Sequence, residues 1–482
     1  MKLFSKFVCL AVAIAMLPTP SFADLRSDVG KVRKQLQQRK FAAAEKLFKQ
    51  LQDENQGTPA ALQLKSLHAN FAASYIRARQ HLKGGQHTTS YIDFLMPRLE
   101  RSPAMANSLP RFINQMAGAF SAAKKPELAE EKLEQYLKAT LAASEKNKAP
   151  QLNSLIASIQ SIKVLFLARQ KRSKQANDLL SKLIASQEKK LGDKPKDVGA
   201  VSGMIVLQGA RVQLAKMAKS KDVAKFQKDL LKLASKSVKA NPDSGLLILQ
   251  FVNLNLSSIS QQVYKDAKVA RGLLNDFEAT LDDLTSTDQR GQRILNSVRK
   301  SNIPRLRRSI VSVIQRDKLI GQSSAPLEVE AWANGKELTD KDLKGKVILL
   351  DFWAVWCGPC IATFPHLREW REKYGKEGLE IIGVTRYYKY GWNDKAKRPV
   401  RDGKISREDE RKAMEAFAKH HKLKHPFAVA TDGGYASKYK VSGIPQAVLI
   451  DRKGKIRLIR VGSGPANAKA LHAMIQKLLA EK

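Results

Sequence analysis

The sequence predicts a two-domain protein, in which a long all-α region is followed by a smaller α/β domain. Between residues 24 and 319, apolar residues recur three and four positions apart while Gly and Pro are sparse, which is typical of successive amphipathic helices. After residue 325, short apolar runs alternate with helical patterns, which indicates a sheet with helices on its faces. The 482 residues also exceed what one hydrophobic core usually holds.

Residues 1–23 predict a secretory signal peptide. Lys2 and Lys6 precede an apolar run over residues 8–17, and small residues stand at the cleavage positions before Asp24. The run is about half of the ~20 residues that a membrane-spanning helix needs. We therefore expect an exported protein of the periplasm or cell envelope, with an uncleaved membrane anchor as the alternative. No later stretch is expected to cross a membrane.

The number and spacing of the cysteines favour a redox-active disulfide over a structural one. Cys9 falls inside the apolar run and is expected to leave with the signal, so Cys357 and Cys360 remain in the mature chain. An exported protein can carry stable disulfides, but the loop between these two is tiny, and closing it removes little chain entropy. Such a disulfide stabilises the fold little and is well suited to reversible reduction and oxidation.

The formal net charge of +40 is extreme, and most of it precedes the α/β domain. After Gly321 there are 31 basic and 19 acidic residues, a net charge of +12. Anionic envelope polymers, lipid head groups or acidic partners would bind such a surface; a solvated surface with no dedicated ligand is the alternative. Export and the lack of a dense basic block argue against a nucleic-acid partner.

The helical domain is predicted to span residues 24–320. Four similar helical segments begin near Phe41, Pro126, Ser173 and Asp266, at spacings of roughly 45 residues or twice that, and they resemble degenerate tetratricopeptide-like hairpins. A solenoid and a non-repetitive bundle both remain open. The segment has no catalytic motif, so it is interpreted as a protein-docking surface or a spacer.

Glycine and proline predict where these helices stop. The predicted breaks are Gly57 to Pro59, Gly84-Gly85, Lys125-Pro126, Ala149-Pro150, Gly192 to Pro195 and Asn241-Pro242.

The second domain is predicted to span residues 321–482 and to open with a linker over 321–326. Asn334-Gly335 suits a type I′ turn, so residues 327–332 and 336–338 are expected to form a hairpin. The remaining predicted elements are strands at 347–350, 379–384 and 447–451 and helices at 361–374 and 407–421.

The segment around the cysteines places a buried strand directly before Cys357 and begins a helix at the pair. Free amides and the positive end of a helix dipole stabilise a thiolate, which lowers the pKa of the first cysteine. Cys357, at the exposed start of the turn, is therefore expected to be the nucleophile, and the more buried Cys360 to resolve the mixed disulfide. Gly358 and Pro359 keep the two close.

These residues resemble a known family. Asp351-Phe-Trp-Ala-Val-Trp-Cys-Gly-Pro-Cys360 is similar to the thioredoxin active-site signature, and Pro365 falls where that family kinks its helix. Gly443-Ile444-Pro445 resembles the family's cis-proline loop, which faces the cysteines. The opening hairpin and the insertion near 386–410 are closer to exported TlpA/ResA-type reductases. The resemblance implies a thioredoxin fold for the C-terminal third of the chain.

The resemblance also implies roles for individual residues. Asp351 would be buried, with its pKa raised by desolvation, and could take the proton from Cys360; a plain core carboxylate is the alternative. Five residues would contact the substrate, with a cis bond before the last: Trp356, Gly358, Pro359, Ile444 and Pro445. Gln446 replaces the usual threonine, and TlpA/ResA-type proteins often lack an acid at the position of Asp351, so substrate preference stays open.

No metal and no cofactor is expected beyond the redox-active Cys357–Cys360 disulfide. A Cys-x-x-Cys pair binds metal when a second pair or suitably spaced histidines complete the site. His420, His421 and His425 are interpreted as histidines at a helix C-terminus. The aromatic and basic run over 386–392 is either a partner-docking patch or ordinary loop packing.

The sequence thus predicts an exported thiol-disulfide oxidoreductase that reduces disulfides of envelope proteins and receives electrons from a membrane donor protein. The Gly-Pro dipeptide, without a histidine, favours the reducing direction. An oxidase or isomerase of the same fold is one alternative, and a helical envelope-binding scaffold with a regulatory redox domain is another. A peroxiredoxin is disfavoured, because Cys357 has a resolving partner three residues on.

Overall fold

The computed structural model describes residues 22–193, 196–431 and 434–481. The predicted signal peptide, with Cys9, lies outside these residues apart from positions 22 and 23, where the first helix begins.

The predicted all-α region is confirmed. Its helices follow one another with short connections, and they are α1 (Phe22–Gln37), α2 (Phe41–Glu54), α3 (Pro59–Lys65), α4 (Leu67–Arg77), α5 (His81–Leu95), α6 (Leu109–Ala122), α7 (Pro126–Lys146), α8 (Pro150–Arg169), α9 (Ser173–Asp193), α10 (Val198–Met217), α11 (Val223–Ala240), α12 (Gly245–Gln262), α13 (Ala267–Asp282), α14 (Gln289–Ser297) and α15 (Ile303–Asp317). Helices α4 to α11 pack against their sequence neighbours, and α8 also packs against α6 and α10. Contacts of this kind are typical of stacked helical hairpins.

The prediction that Gly84-Gly85 ends a helix is wrong, because both lie inside α5. A Cβ at Gly84 would stand 2.6 Å from Ile76 of α4, and a Cβ at Gly85 would stand 2.7 Å from Phe120 of α6. The two glycines therefore let α5 approach both neighbours closely, and packing outweighs their poor helix propensity.

Two described helices, α8 and α10, are long and apolar enough to cross a membrane by length and composition, contrary to the expectation from sequence. Half of the apolar window of α8 and 67% of that of α10 are buried inside the protein. They pack against each other. Their apolar character is accounted for by this packing, as in core helices.

The predicted α/β domain is also confirmed. Its elements are β1 (Ala331–Ala333), α16 (Asp340–Leu343), β2 (Val347–Phe352), α17 (Gly358–Ile361), α18 (Phe364–Tyr374), β3 (Leu379–Thr385), β4 (Tyr390–Asn393), β5 (Arg398–Arg401), α19 (Arg407–His421), β6 (Phe427–Val429), α20 (Gly434–Lys438), β7 (Gln446–Ile450), β8 (Ile456–Val461) and α21 (Pro465–Ala480). The main sheet has the order β1-β6-β3-β2-β7-β8, in which β2, β3 and β6 are parallel and the others antiparallel to their neighbours.

The predicted opening hairpin is wrong, although its turn is right. Asn334 and Gly335 both have positive φ angles, of 55° and 94°. Residues 336–338 form no strand, and β1 pairs instead with β6. The Asn334 amide donates hydrogen bonds to the carbonyls of Leu423 and His425, just before β6, so the turn is anchored to a distant part of the chain.

The predicted linker is hydrogen-bonded to the sheet. Gly321 N donates to Ile456 O at 2.7 Å, and Ile456 N donates to Gln322 O at 2.9 Å. Compact unit 2 of the chain comprises Leu256–Glu278 and Val298–Lys482, so α15 belongs to the same unit as the sheet. Compact unit 1 comprises Met1–Asn255 and Ala279–Ser297. The domain boundary after residue 320 stays a prediction.

Candidate functional site

The two cysteines lie at the end of the central strand β2, where the chain turns into α17. They form a disulfide, with their Cα atoms 5.3 Å apart. Cys357 is the N-cap of α17, and the amide of Cys360 points at the Cys357 sulfur at 3.2 Å. This amide can stabilise a negative charge on Cys357 after the disulfide opens.

The expectation that Cys357 is exposed is wrong in this oxidised state. Its exposed fraction is 3%, and that of Cys360 is zero. Its neighbours Trp356, Gly358 and Pro359 are exposed instead. The exposed surface beside the disulfide is therefore built from the residues around it, with Cys357 buried beneath them.

The helix after the cysteines is broken where a kink was expected. The four-residue α17 ends at Ile361, and α18 begins at Phe364 with Pro365 as its second residue. Thr363 Oγ1 donates a hydrogen bond to Cys360 O at the break. Proline is tolerated in a first helical turn but disfavoured inside a helix, which explains the interruption.

Asp351 lies in the middle of the sheet, beside Gly383 of β3 and Ala447 of β7. Its side chain is 2% exposed, and Oδ2 has no hydrogen-bond partner among the residues that the structure describes. Desolvation raises the pKa of Asp351 from 3.8 to about 7, because burial disfavours the charged carboxylate. The group can therefore accept or release a proton near neutral pH.

Asp351 and Pro445 both line a small cavity of about 30 Å³. That volume is enough for about one water molecule, since a water needs at least ~10–15 Å³ of such space. Polar groups from Thr363 and Asn467 line it as well. The cavity therefore has room for a water molecule beside Asp351.

The loop before β7 carries a cis Ile444–Pro445 peptide bond, as the resemblance implied. Gln446, the next residue, pairs with Phe352 at the end of β2, so the loop and the cysteine turn lie at the same end of neighbouring strands. Gln446 is fully buried and its amide donates to Tyr439 O at 2.9 Å. Pro445 O accepts a hydrogen bond from Gly462 N at 2.8 Å. The loop is thus fixed on the β8 side.

The run over 386–392 is largely packed against the domain, and its use as a partner-docking patch stays a prediction. Tyr387, Tyr388, Tyr390 and Trp392 pack against the domain core. At the same time the Tyr388 ring meets the Trp356 ring edge to face, with centroids 5.5 Å apart, and Trp356 is 46% exposed. Most of the run is loop packing, and Tyr388 extends the surface beside the disulfide.

Glu410 is a residue of this region that sequence reasoning missed. It is 2% exposed, and its Oε1 accepts hydrogen bonds from the amides of Tyr388 at 2.7 Å and Tyr390 at 3.1 Å. In the sequence Glu410 follows Glu408 and Asp409 in the first turn of α19, where acidic residues are common for a local reason. That local explanation hid its role in holding the loop.

The three histidines singled out in the sequence lie at the end of α19 and shortly after it. His420 and His421 stand in the last turn of α19 against Trp392 and Phe417, and His425 is 1% exposed before β6. Within the described ranges, no group of three or more His, Cys, Asp or Glu side chains could hold a metal ion.

Comparison with known proteins gives similarities over about the last third of the chain. The Redoxin family matches residues 320–475. The thiol-disulfide oxidoreductase ResA of Bacillus subtilis (strain 168) is 30% identical over 150 residues, which are 31% of this chain and 71% of that protein. A ResA of Bacillus cereus is 28% identical over 163 residues, which are 34% of this chain and 81% of that protein.

A solved structure, that of a thiol-disulfide isomerase from Corynebacterium glutamicum, is 23% identical, with a TM-score of 0.27. It covers 33% of this chain and 97% of that one. The Redoxin match contains both cysteines and the loop with the cis bond.

Proposed function

We propose that the protein is an exported reductase for disulfides of other envelope proteins. Through its C-terminal domain the chain belongs to the TlpA/ResA-like thiol-disulfide oxidoreductases of the thioredoxin superfamily. Its chemistry is dithiol-disulfide exchange, and the redox group is a disulfide of the chain itself. The observation that carries the proposal is the Cys357–Cys360 disulfide at the end of β2, next to the loop with cis Pro445.

In the proposed reaction, the reduced protein attacks a substrate disulfide. The Cys357 thiolate forms a bond to one substrate sulfur while the substrate disulfide breaks and its second sulfur leaves as a thiolate. Cys360 then attacks the Cys357 sulfur, which releases the first substrate sulfur and restores the Cys357–Cys360 disulfide. Two electrons pass to the substrate, whose two sulfurs become thiols.

Asp351 is proposed to take the proton that Cys360 must lose before it attacks. A carboxylate with a pKa of about 7 is well matched to this task near neutral pH. The cavity beside Asp351 has room for one water molecule, to which the carboxyl would pass the proton on. A second water-borne proton transfer would then return Asp351 to its starting state.

The substrate is proposed to bind across the surface above the disulfide. Trp356, Gly358 and Pro359 offer exposed apolar and backbone surface on one side. Ile444 and Pro445 would contact the substrate backbone on the other.

The reducing direction is supported by the dipeptide between the cysteines. Thioredoxin has a potential near −270 mV, whereas the oxidase DsbA lies near −120 mV because its reduced form is stabilised. No histidine stands between Cys357 and Cys360 to give that stabilisation. Each turnover leaves the protein oxidised, so a membrane donor protein is proposed to return two electrons. The helical region is proposed as a docking surface, and its positive charge suits anionic envelope components.

The reduction potential of the Cys357–Cys360 couple tests the direction. The mature protein is equilibrated in defined thiol buffers and its free thiols are trapped, with a Cys357→Ser, Cys360→Ser variant as the blank. We expect a value at or below about −230 mV. A value above about −150 mV would make the protein an oxidase or isomerase. Export is tested by sequencing the N-terminus of protein from the envelope fraction, where a start at Asp24 is expected.

A further inference from the structure

An arginine of α15, the last helix before the α/β domain, is buried and bonded to the loop that leads to Pro445. Arg316 stands in the final turn of α15, is 5% exposed, and donates a hydrogen bond from Nη1 to Ser442 Oγ at 2.7 Å. A guanidinium removed from water destabilises the fold unless other groups compensate for its lost hydration. The C-terminal end of α15 also favours a positive charge at this position. Asp317, the next residue, favours the Arg316 charge as well, and the side-chain hydrogen bond of Arg316 goes to the loop hydroxyl of Ser442.

The end of α15 is fixed to the sheet by the residues that follow Arg316. Leu319 packs against the hydrophobic cluster that also receives Ile444. The hydrogen bonds of Gly321 and Gln322 to Ile456 then hold the chain beside β8. Arg316 therefore acts from a rigid support, which is a requirement for positioning another group.

Ser442 lies three residues before Pro445, a distance of at most about 10 Å along the chain. At Pro445 and just after it, the loop is held by the hydrogen bonds from Gly462 N to Pro445 O and from the Gln446 amide to Tyr439 O. Before Pro445, the bond from Arg316 holds the loop at Ser442. A shift of Ser442 would accordingly pass to the Ile444–Pro445 backbone.

We propose that Arg316 is a positioning residue for disulfide exchange. It fixes Ser442 and thereby the Ile444–Pro445 backbone, on which the substrate polypeptide binds. This inference rests on the proposed function and extends it to a helix outside the thioredoxin-like sequence. Arg316 touches neither the cysteines nor the substrate. It acts on polypeptide binding and leaves the intrinsic chemistry of the dithiol unchanged.

The test compares two disulfides in single-turnover reactions of the pre-reduced, full mature protein. Insulin is the polypeptide probe, and 5,5′-dithiobis(2-nitrobenzoate) is a small probe that needs no backbone contact. Arg316→Ala is expected to lower the second-order rate constant with insulin roughly tenfold, since small misplacements of binding groups have effects of this size or larger. The rate with the small probe and the reduction potential should stay unchanged.

Arg308→Ala is the matched control, because Arg308 is exposed on the same helix and its removal changes the charge equally. It should leave both rates at the wild-type value. Ser442→Ala should reproduce the loss with insulin. The Arg316→Ala, Ser442→Ala double variant should be no slower than either single variant, because both changes remove the same bond. Arg316→Lys should recover part of the rate.

Equal losses with the two probes, or additive losses in the double variant, would overturn the positioning role. If Arg316→Ala does not fold, Ser442→Ala decides: a wild-type rate with insulin then rejects the inference. A wild-type protein that reduces neither probe would refute the proposed function itself. An active wild type with an unaffected Arg316→Ala variant would refute the positioning role alone.

Discussion

Replacing Asp351 with asparagine should change how the stability of the redox domain depends on pH. The pKa of Asp351 rises from 3.8 to about 7 on folding, because the carboxyl is buried. Between about pH 4 and pH 7 the folded domain thus holds on this carboxyl a proton that the unfolded chain releases, so Asp351 contributes a fall in the free energy of unfolding as the pH rises. One pKa unit corresponds to 1.36 kcal/mol, so the total loss is about 4 kcal/mol and levels off above pH 7.

The Asp351→Asn variant keeps the shape of the side chain and removes the titration. We expect its unfolding free energy to lack this fall of about 4 kcal/mol. Its buried amide is left unsatisfied at every pH, at a cost of about 1–3 kcal/mol. The variant should therefore be less stable than the wild type at pH 4 and more stable by about 1–3 kcal/mol at pH 8.

Denaturant unfolding of the oxidised protein, followed by tryptophan fluorescence, measures this effect. The five tryptophans of the chain are Trp332, Trp353, Trp356, Trp370 and Trp392, so the signal reports the α/β domain and not the helical region. In the oxidised state Cys357 and Cys360 do not titrate. His425, whose pKa is lowered to about 3 by burial, changes the stability in the opposite direction over the same pH range, so the effect of Asp351 is the difference between the variant and the wild type. A signal from the α/β domain alone is needed because the domains of a multidomain chain need not unfold in one step.

Glu372→Gln, an exposed carboxyl on α18, is the control and should keep the wild-type slope. If Asp351→Asn shows the same fall in stability between pH 4 and pH 8 as the wild type, the carboxyl does not change its protonation there on folding. The same variant separates the two interpretations of Asp351. A proton acceptor predicts disulfide exchange slowed by roughly a hundredfold at pH 7, whereas a plain core carboxylate predicts little change.

Two further predictions concern the helical region and are measured by circular dichroism at 222 nm. Gly85→Ala should lower the stability of that region by about 1–3 kcal/mol, because its Cβ would overlap the Phe120 ring, whereas Gly118→Ala, with open space around it, should be neutral or slightly stabilising. His68 has its pKa lowered to about 4, first by burial and then by nearby cations including His87, whose Nδ1 lies 2.9 Å from its own. The unfolded chain binds this proton from about pH 6.5 downward, so the region should lose stability as the pH falls from 6.5 to 4, and His68→Gln should weaken that loss. A midpoint of unfolding in the Gln variant that depends on pH as in the wild type would contradict the assignment to His68.

Elements with a complete local signal could be predicted from sequence. Helix α19 runs from Arg407 to His421, the predicted bounds. Its start is fixed by Ser406, whose hydroxyl accepts a hydrogen bond from Asp409 N, and its end by Lys422 in a left-handed conformation with φ of 56°. The cysteine pair has an equally local signal, since strand, turn and helix follow one another within a few residues.

Elements that depend on distant partners could not be predicted in this way. The turn at Asn334 has the right conformation, but β1 pairs with β6 almost a hundred residues later. Gly84 and Gly85 look like a helix stop until Ile76 and Phe120 are placed against them. In each case the local pattern is compatible with two structures, and the choice between them is made by packing.

Two of the buried ionisable residues of unit 2, Asp351 and Arg316, show what kind of sequence pattern can reveal a buried charge. Asp351 stands in a strand whose six residues are all buried, so its burial could be expected from its apolar neighbours. Arg316 stands on an amphipathic helix among many basic residues, and these were interpreted together as a solvated surface. Its position nevertheless continues the buried face of α15, after Leu306, Ile310 and Val313.

Residues three and four apart share one face of a helix, so a basic residue in phase with such a stripe is distinguishable from its neighbours. Arg316 stands three residues after Val313 and is buried, whereas Arg308 lies on the opposite face of the helix and is exposed. Arg307 has the spacing of the stripe and is nevertheless exposed, so spacing marks a candidate for burial and the structure decides. Net charge alone could not separate these arginines, because it counts them equally. Position relative to the apolar stripe separates Arg308 from Arg316, and it is this difference that makes Arg308→Ala a fair control for Arg316→Ala.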